Sequence, residues 1–542
     1  MNIKIVSIFK ISKSIDNGQY AIDKTVLMRK DRLSAGFANC KLPIANWPLS
    51  IACCLLLIVF LGACKKWIDV KPNDRLTEDQ LFSTTQGYLN ALNGIYVELT
   101  NAAIYGDKMT VSNLDVMAQY YVTNSTTHKF YQYANFEFTA DTPKVVFDNM
   151  WKKSYELILN CNVIIERCGE DGNGVLSSPY FGIVKGEALA LRAMLHFDML
   201  RLFGPIYSDA NKDKPCIPYN TASRPQTSAL LGSAEIMQNI LNDLNAAAAL
   251  LKDVDPVITD GVRHSAGNNG SNDLQYRQYR LNYYAVKALR ARAYLWMQDK
   301  TKAGEEARLL LSETLNPAKP IFPLVVTPET DTTKKTAADY DHMFRAQVMF
   351  GLYKTNRQTL YNTYFSPELQ ENLRLSINDY VNGKNRDRLN IMFDNHEDYR
   401  EKAWIDLSTP ANTYLTHIKF SFGAYNPSPN MMPLIRMGEI LLMAAECSNT
   451  VDEGKVYLNQ LRLARNCNDL NPTSMTQLKD FITNEFRKEM IGEGQMFFYY
   501  KRNAMTTLPN HQWGTNVSLT KTVSLLSYVV PLPVSEVSNR GN

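Results

Sequence analysis

Most of the chain repeats apolar and polar residues with the period of an α-helix. Thr77 and Gln80 form a capping box at the start of the first such segment. The apolar positions that follow at helical spacing are Leu81, Tyr88, Leu89, Leu92, Tyr96 and Leu99. Further helical periods occupy residues 145–167, 186–203 and 234–251. The pattern therefore predicts a mostly α fold.

Two segments look like antiparallel helix pairs of the tetratricopeptide type. Residues 282–311 place small side chains on a first helix, turn at 298–301, and pack back through Ala303 and Ala307. Residues 434–447 followed by 453–465 repeat this shape. The repeats keep no strict period, so we expect insertions between units. The predicted fold is a tetratricopeptide-like helix-pair scaffold with long loops and minor β structure on one face.

The largest insertion is expected at about 322–422, where long helical periods are few. Loops of this length in a compact domain are usually functional. Near the end of the chain, residues 528–533 contain Pro531 and Pro533. Proline cannot donate to a ladder, so these residues are predicted to form an extended strand on the surface.

A short apolar run ends at Leu61-Gly62-Ala63-Cys64. It is shorter than the roughly 20 residues that a helix needs to cross a bilayer, and it suits a secretory signal. The order of apolar run, small residues and cysteine is typical of a bacterial lipobox, in which Cys64 is lipidated and becomes the first residue. The alternative is an ordinary buried segment of a core helix.

These patterns divide the chain into three expected parts. Residues 1–63 form a signal peptide, with a better start at Met28, which precedes a basic segment. Residues 64–76 form a lipidated tether. Residues 77–542 form one α-domain that carries the insertion.

Composition excludes several classes of protein. Among 542 residues, 21% are charged and 45% are hydrophobic, which argues against disorder. The net charge of +4 is too small to indicate nucleic-acid binding. Beyond Cys64 the cysteines are scattered and odd in number, so we expect buried free thiols. They are Cys161, Cys168, Cys216, Cys447 and Cys467.

Few residues suggest catalysis. The seven histidines show no metal-ligand spacing, and no nucleophile elbow or phosphate-binding loop occurs. His196 lies in a packed helical segment and is expected to be a satisfied core residue. We predict no enzyme activity, no metal and no cofactor. A surface glycosidase stays open as an alternative, and would need two carboxylates about 5–9 Å apart across a cleft.

The 29 tyrosines point to a binding site. Aromatic rings cover the C–H faces of sugars, and polar groups hold the hydroxyls. Several aromatic residues lie outside the helical pattern, in residues 101–143 and in the insertion. The candidate ligand-binding residues are Tyr105, Asp115, Tyr120, Tyr121, Tyr131, Tyr133, Tyr361, Tyr364 and Trp404. The alternative for each is that it packs its loop onto the scaffold.

Seven segments, taken in order, resemble one known family. They are Cys64-Lys65-Lys66-Trp67-Ile68-Asp69 with Pro72; Leu89-Asn90-Ala91-Leu92-Asn93-Gly94-Ile95-Tyr96; Cys161-Asn162; Gly186-Glu187-Ala188 through Arg192-Ala193 to Phe203-Gly204-Pro205; Arg436-Met437-Gly438-Glu439-Ile440 through Ala445-Glu446; Phe486-Arg487-Lys488-Glu489-Met490 with Gly492-Glu493-Gly494; and Pro531-Leu532-Pro533. Together they resemble the RagB/SusD family of nutrient-binding outer-membrane lipoproteins of Bacteroidetes-type bacteria. Arg436, Glu439 and Glu446 match the family, and we expect them to form salt bridges between helices rather than to contact ligand.

The resemblance implies a shallow binding site on one face of a helix-pair scaffold. It implies a protein that is lipid-anchored in the outer membrane and faces the cell surface. Such a protein would act as a lid on a SusC-like TonB-dependent barrel transporter and capture an oligosaccharide or similar nutrient. A tetratricopeptide-like adaptor in the periplasm is the competing interpretation, which a concave groove without an aromatic cluster would favour.

Overall fold

The computed structural model describes residues 77–123, 125–262, 274–324, 341–377, 387–405, 415–423, 426–512 and 518–540. The chain divides into two compact units, Met1–Leu81 and Phe82–Asn542. The predicted signal peptide, the tether and Cys64 lie outside the described residues, and the predicted domain boundaries stay predictions. Within the described part, no helix is both long and apolar enough to cross a bilayer.

The described end of the first unit confirms the capping box. The amide of Thr77 donates to Gln80 Oε1 at 2.9 Å, and the amide of Gln80 donates to Thr77 Oγ1 at 3.3 Å. Each side chain thus satisfies an amide that the helix leaves without a partner. The helix that follows, α1 (Glu78–Leu81), is a single turn.

The second unit is mostly helical, as predicted. In chain order its helices are α2 (Thr85–Leu99), α3 (Asn113–Met117), α4 (Tyr131–Ala134), α5 (Asp141–Cys168), α6 (Tyr180–Phe203), α7 (Ser233–Leu251), α8 (Pro256–Asp260), α9 (Tyr283–Trp296), α10 (Lys300–Thr314), α11 (Gln358–Tyr364), α12 (Asp387–Met392), α13 (Tyr399–Trp404), α14 (Met437–Glu446), α15 (Val451–Ala464), α16 (Met475–Glu489), α17 (Met496–Arg502) and α18 (Val534–Asn539). Short 3₁₀ helices cover Arg277–Tyr279, Arg345–Gln347 and Leu525–Tyr528. In the described part of the predicted insertion, α11 is the longest helix, at seven residues.

The β structure is minor. Among the described residues it consists of three antiparallel pairs of strands and an isolated bridge between Ile405 and His417. The pairs are β1 (Pro215–Ile217) with β2 (Leu231–Gly232), β3 (Val348–Tyr353) with β4 (Met431–Arg436), and β5 (Thr507–Pro509) with β6 (Thr520–Thr522). The β3–β4 pair joins the insertion to the start of α14.

Helix α6 lies at the centre of the scaffold, between α5 and α7. It is buried on nearly every side, because apolar and small residues occupy all of its faces. A Cβ on Gly182 would lie 2.6 Å from the Leu250 carbonyl oxygen, and one on Gly186 would lie 2.9 Å from Leu251 Cγ. Glycine at these two positions therefore lets α6 and α7 pack closely.

The two predicted helix pairs are present and stack on each other. Helix α9 packs on α10, α10 on α14, and α14 on α15. The turn between α9 and α10 places Gln298 in the left-handed region, at φ 64°. At Gly304 of α10, an added Cβ would lie 2.8 Å from Cys447 Cβ. Each helix thus buries its apolar face against the next one, as in solenoid proteins.

Several residues of the seven segments form buried polar contacts within the scaffold. Tyr96 donates through its hydroxyl to Glu187 Oε2 at 2.7 Å. The other carboxylate oxygen of Glu187 lies 2.7 Å from Arg277, which also pairs with Asp255 at 2.8 Å. All four side chains are buried. These contacts join α2, α6 and the segment before α9, so the motif residues Tyr96 and Glu187 have structural roles.

Two local predictions were wrong. Residues 434–436 belong to strand β4 rather than to the helix, which begins at Met437. Every residue of β4 is buried. The strand therefore lacks the alternation of apolar and polar residues that would distinguish it from the apolar helix that follows. Residues 528–533 form no strand. Tyr528 and Val530 are instead buried, and Tyr528 donates to the Met505 carbonyl oxygen at 2.7 Å.

The five remaining cysteines are buried free thiols, as expected. Burial raises the pKa of Cys161 and of Cys467 to about 12. Thiols with such values stay protonated and unreactive at neutral pH. They therefore act as small apolar core residues.

Candidate ligand-binding site

Most of the candidate residues are buried. Tyr131 and Tyr361 are half-buried. The buried candidates are Tyr105, Asp115, Tyr120, Tyr121, Tyr133, Tyr364 and Trp404. A sugar needs an accessible ring face, so the contacts of each residue decide what it can do.

Tyr105 connects its loop to the central helix α6 by a hydrogen bond. Its hydroxyl donates to Asp198 Oδ2 of α6 at 2.5 Å, and Asp198 in turn pairs with Arg201. Burial raises the pKa of Tyr105 well above its usual value, and the Asp198 carboxylate raises it further. The hydroxyl therefore stays protonated and acts as a fixed donor.

Tyr120 packs against helix α16. Its hydroxyl donates to the Arg487 carbonyl oxygen at 2.5 Å. The Arg487 guanidinium lies 4.7 Å from the centre of the tyrosine ring, within cation–π range. Arg487 thus covers a ring face that a sugar would need.

Asp115 binds backbone amides rather than open solvent. It accepts hydrogen bonds from the amides of Gly492 and Gly494, the second at 3.0 Å. Both glycines have positive φ, at 79° and 67°. A Cβ at Gly494 would lie 2.1 Å from the Met109 carbonyl oxygen, so only glycine fits there. Asp115 therefore fixes the turn of the Gly492-Glu493-Gly494 motif.

Tyr121 is joined to the insertion through a histidine. Its hydroxyl lies 2.8 Å from His417 Nε2. Burial lowers the pKa of His417 well below its usual value, so the ring is neutral. The ring centre of Phe365 lies 3.8 Å from that of His417 and 5.8 Å from that of Tyr121. The three rings form one packed cluster.

Trp404 lies in the core of the insertion. Its Nε1 donates to the His342 carbonyl oxygen at 2.7 Å, and its ring stacks on Phe344 with centres 5.2 Å apart. The Lys419 ammonium lies 4.1 Å from the centre of the indole ring. These neighbours leave no ring face accessible in this conformation.

Tyr364 brings the insertion against the first aromatic loop. Its ring centre lies 5.8 Å from that of Phe130, and its hydroxyl donates to Asp107 Oδ2 at 2.6 Å. Lys108 Nζ donates to the same hydroxyl at 2.9 Å. Backbone hydrogen bonds join the same two segments, from Lys129 to Asn372 at 2.9 Å. Residues 120–133 and 361–376 therefore form one surface region.

The accessible part of this region combines tyrosines with lysines. The exposed Lys129 places its ammonium 5.6 Å from the Phe130 ring centre and 5.4 Å from that of Tyr364. Tyr361 precedes Tyr364 by three residues on α11, so the two lie on one side of the helix. We call the following set the Tyr364 face: the buried Tyr364, the half-buried Lys108, Tyr131 and Tyr361, and the exposed Lys129.

A second aromatic pair lies at the end of β3. Tyr353 is 55% exposed, and its ring centre lies 5.5 Å from that of Tyr279. Asn430 donates to the Tyr353 hydroxyl at 2.9 Å. Tyr279 was not a candidate from the sequence. It lies shortly before α9, outside the two aromatic regions that the sequence indicated.

The three residues predicted to form salt bridges, Arg436, Glu439 and Glu446, do so. The pairs are Arg436 with Glu489, Glu439 with Arg292, and Glu446 with Arg502. Glu489 also contacts Arg400 and Arg465. These three guanidinium groups hold the pKa of Glu489 well below its usual range despite its burial. Such a carboxylate is permanently ionised and unsuited to a general acid.

Two hollows lie elsewhere in the scaffold. A recess of about 350 Å³ opens between α5 and residues 221–226. One of the residues that line it is Asn162, whose side-chain amide donates to the carbonyl oxygens of Asn220 and Ala222 at 3.0 and 2.9 Å. An interior cavity of about 30 Å³ lies among Arg201, Arg292 and their neighbours. The nine candidate residues line neither. Within the described residues, no group of three or more histidine, cysteine or acidic side chains could hold a metal ion.

Two family profiles match successive parts of the chain. Residues 66–260 match the profile described as "Starch-binding associating with outer membrane", and residues 327–540 match the SusD family profile. The SusD-like protein P38 of Formosa agariphila is 22% identical over 488 residues, which cover 82% of this chain and 90% of that protein. The SusD-like protein P25 of the same organism is 24% identical over 162 residues, or 29% of this chain and 30% of that protein.

Solved structures share the fold. A SusD superfamily protein from Bacteroides thetaiotaomicron has a TM-score of 0.60 at 21% identity, covering 84% of this chain and 98% of that one. A SusD-like carbohydrate binding protein from Bacteroides vulgatus has a TM-score of 0.62 at 20% identity, covering 84% and 96%. The family profiles, the curated relatives and the shared fold agree with the motif order in the sequence. The chain belongs to the RagB/SusD family.

Proposed function

We propose that this protein binds an oligosaccharide at the outer membrane and delivers it to a SusC-like TonB-dependent barrel transporter. The family profile for residues 66–260 is described by starch binding and outer-membrane association. A related structure of the same fold is named a carbohydrate binding protein. Lipidation at Cys64 would hold the chain at the membrane, as the lipobox pattern predicts.

The observation that carries the proposal is the Tyr364 face. There, rings from the insertion and from the first aromatic loop meet beside two ammonium groups. Aromatic rings cover the apolar faces of sugars, while lysine and tyrosine groups hold the hydroxyls. The face is assembled from two distant parts of the chain, so its shape depends on the fold rather than on a flexible segment.

The candidates have two different roles in this proposal. Tyr131 and Tyr361, which are half-buried, contact the sugar. The buried candidates hold the surrounding loops in place through the contacts described above, and Tyr133 does so by packing edge-on against Phe147 of α5. These buried candidates are Tyr105, Asp115, Tyr120, Tyr121, Tyr133, Tyr364 and Trp404. This division follows from exposure, since a ring that is already covered on both faces has no area left for a ligand.

Two buried glutamates of α16 are unsuited to the acid step of a glycosidase. Glu485 and Glu489 are buried against arginines, and the neighbouring basic groups lower the pKa of both. A glycosidase needs one carboxyl that is protonated near neutral pH. These two carboxylates cannot supply it.

A glycan array tests whether the protein binds sugars at all. The purified mature chain should be retained on a subset of oligosaccharides, with affinities in the micromolar to millimolar range, or about −8 to −4 kcal/mol. Retention on none of the sugars would overturn the glycan part of the proposal. Co-isolation from detergent-solubilised outer membranes tests the transporter part, which predicts a β-barrel protein in the complex and fails if none accompanies the chain.

A further inference from the structure

Basic side chains from four parts of the chain lie near the buried Gln119. Arg487 Nη2 donates to the Gln119 carbonyl oxygen at 2.9 Å, and Arg388 Nη2 donates to the same oxygen at 3.2 Å. His511 Nδ1 lies 2.8 Å from Gln119 Oε1, and Lys521 Nζ lies 3.0 Å from that same His511 nitrogen. Arginines of α12 and α16 and a histidine after β5 thus contact Gln119, and a lysine of β6 contacts that histidine.

One of these contacts cannot be a hydrogen bond. The Gln119 amide nitrogen donates to the carbonyl oxygens of Met117 and Ala134, at 3.2 and 3.0 Å. Its Oε1 is therefore the acceptor, and His511 Nδ1 must carry the proton that it accepts. The ammonium of Lys521 has only donors, so at His511 Nδ1 it faces another donor.

The other contacts of Lys521 are weak. Its ammonium lies 3.3 Å from the Ala134 carbonyl oxygen and 3.5 Å from Asn135 Oδ1. Burial lowers the pKa of Lys521 to about 8. Among the described residues, no carboxylate lies within ion-pair distance of Lys521, His511 or Arg487. The ammonium is thus partly desolvated without a compensating charge, which is costly.

His511 also has a buried nitrogen without a hydrogen-bond partner in the described part of the chain. It is 1% exposed, and its Nε2 has no hydrogen-bond partner among the described residues. Burial, together with the charges of Lys521 and Arg388, lowers the pKa of His511 to about 3. The imidazole is therefore neutral, and because Nδ1 carries its proton, the buried Nε2 is an acceptor without a donor among the described residues.

We infer that the Lys521 ammonium binds an anionic group, either a carboxylate or a sulfate. An anion beside Lys521 would supply the missing acceptor for its ammonium. Lys521, Asn135 and Phe136 are half-buried, whereas His511 and Gln119 are fully buried. The anion would therefore reach the cluster past the lysine side chain.

Two sources could supply this group. One is a free inorganic or organic anion. The other is an acidic sugar of the captured oligosaccharide, bearing a uronate or a sulfate ester. Only the second source rests on the proposed function. The competing explanation is that the carbonyl oxygens of Ala118, Gln119 and Ala134 already offset the positive charges, in which case no anion should bind.

Calorimetry on the mature chain decides between these explanations. Sodium sulfate and sodium glucuronate are titrated at neutral pH against sodium chloride of equal ionic strength, which removes the effect of screening. We expect saturable binding of at least one of the two anions. Lys521→Gln should weaken that binding at least about tenfold, the loss expected for one charge-assisted hydrogen bond, whereas Lys521→Arg should retain most of it.

Lys214→Gln is the matched control. Lys214 is exposed just before β1, and its ammonium bonds to an asparagine oxygen, Asn211 Oδ1, at 2.8 Å. This variant should bind the anion like the wild type. The inference is overturned if neither anion binds saturably, or if Lys521→Gln binds as tightly as the wild type. Circular dichroism of each variant confirms that it is folded.

A second titration separates the two sources. Acidic and neutral oligosaccharides of equal length are compared on the wild type and on Lys521→Gln. If the anion belongs to the nutrient, the acidic sugar binds at least about tenfold more tightly, and Lys521→Gln abolishes this preference. Sulfate binding without any preference for acidic sugars identifies a free-anion site. Neutral sugars that bind equally to both proteins, with no anion binding, would overturn the anion site and leave the proposed function intact.

Discussion

The backbone amide of Gly494 donates a 3.0 Å hydrogen bond to Oδ1 of Asp115, a residue 379 positions earlier in the chain. The amide of Gly492 donates to the other oxygen of the same carboxylate. One buried side chain thus fixes the Gly492-Glu493-Gly494 turn against the first aromatic loop. Asp115 was a candidate ligand contact from the sequence, and this geometry assigns it to the framework of the site.

Replacing Asp115 should therefore change stability before it changes affinity. Asp115→Ala leaves two buried amides without an acceptor, at a cost of about 1–3 kcal/mol for each. Urea unfolding should show a lower midpoint with an unchanged slope. Glu305→Ala, which removes an exposed carboxylate from α10, should have an effect of no more than about 0.5 kcal/mol. Unchanged stability in Asp115→Ala, combined with loss of oligosaccharide binding, would return Asp115 to the ligand site.

The close packing of the helix pairs gives a second prediction. Ala193 of α6 and Ala445 of α14 are fully buried. A leucine at either position overpacks a tight contact, and should lower the free energy of unfolding by about 1–3 kcal/mol. Ala246→Leu, at an exposed position of α7, is the control and should be nearly neutral. If the two buried variants keep the wild-type melting temperature, the close-packed scaffold is contradicted.

The sequence predicted the scaffold well because the scaffold repeats a local signal. Helices such as α5 and α7 each bury one face, so the 3.6-residue period is visible without knowing the partner. Strand β4 was not predicted, because it lacks such a periodic signal. It is buried on both faces, and its apolar residues run straight into those of α14.

The site was harder to predict because burial of a loop residue depends on distant partners. Tyr120 and Tyr361 look alike in the sequence, as aromatic residues outside a helical period. The structure covers Tyr120 with Arg487 of α16 and leaves Tyr361 partly open. No local pattern around Tyr120 reveals an arginine 367 residues away. Composition could identify the aromatic region, but it could not select which rings remain accessible.

Buried histidines predict a loss of stability in acid. His196 donates through Nδ1 to the Arg192 carbonyl oxygen at 2.9 Å, and its Nε2 accepts from the Asn220 amide at 2.9 Å. It is therefore the satisfied core histidine expected from the sequence. The neutral ring fits both bonds, and burial lowers the pKa of His196 to about 3.

The direction of this pH dependence follows from proton binding. Between about pH 6.5 and 3, the unfolded chain protonates this histidine and the folded protein does not, so stability falls as the pH is lowered. From pH 6.5 to 5 the loss for one such group is up to about 2 kcal/mol. Chemical denaturation across this range measures how steeply the free energy of unfolding depends on pH. His196→Gln should reduce this slope by the equivalent of about one bound proton. Gln238→Ala, which changes an exposed and non-ionisable side chain of α7, is the control and should leave the slope unchanged. A His196→Gln slope equal to that of the wild type would contradict the assignment.

Lipidation at Cys64 gives a prediction for the membrane anchor. Acyl chains contribute about 0.8 kcal/mol per buried CH₂, and stable anchoring takes more than one chain. Cys64→Ala should therefore release the protein from membranes or leave its precursor uncleaved. Fractionation and mass spectrometry of the mature N-terminus measure both outcomes, with Cys216→Ala as a control that should remain anchored. Normal processing and membrane association of Cys64→Ala would exclude the lipobox.

The central claim is that the Tyr364 face binds the oligosaccharide. The most direct measurement is calorimetry with the oligosaccharide retained best on the glycan array, on Tyr131→Ala and Tyr361→Ala. Tyr457→Ala, at a half-buried position of α15, serves as the control. By analogy with bases stacked on aromatic side chains, loss of one ring should cost about 1–3 kcal/mol, or roughly 5- to 150-fold in affinity. We predict that Tyr131→Ala and Tyr361→Ala bind more weakly by this amount while Tyr457→Ala binds like the wild type; wild-type affinity in all three would contradict the account.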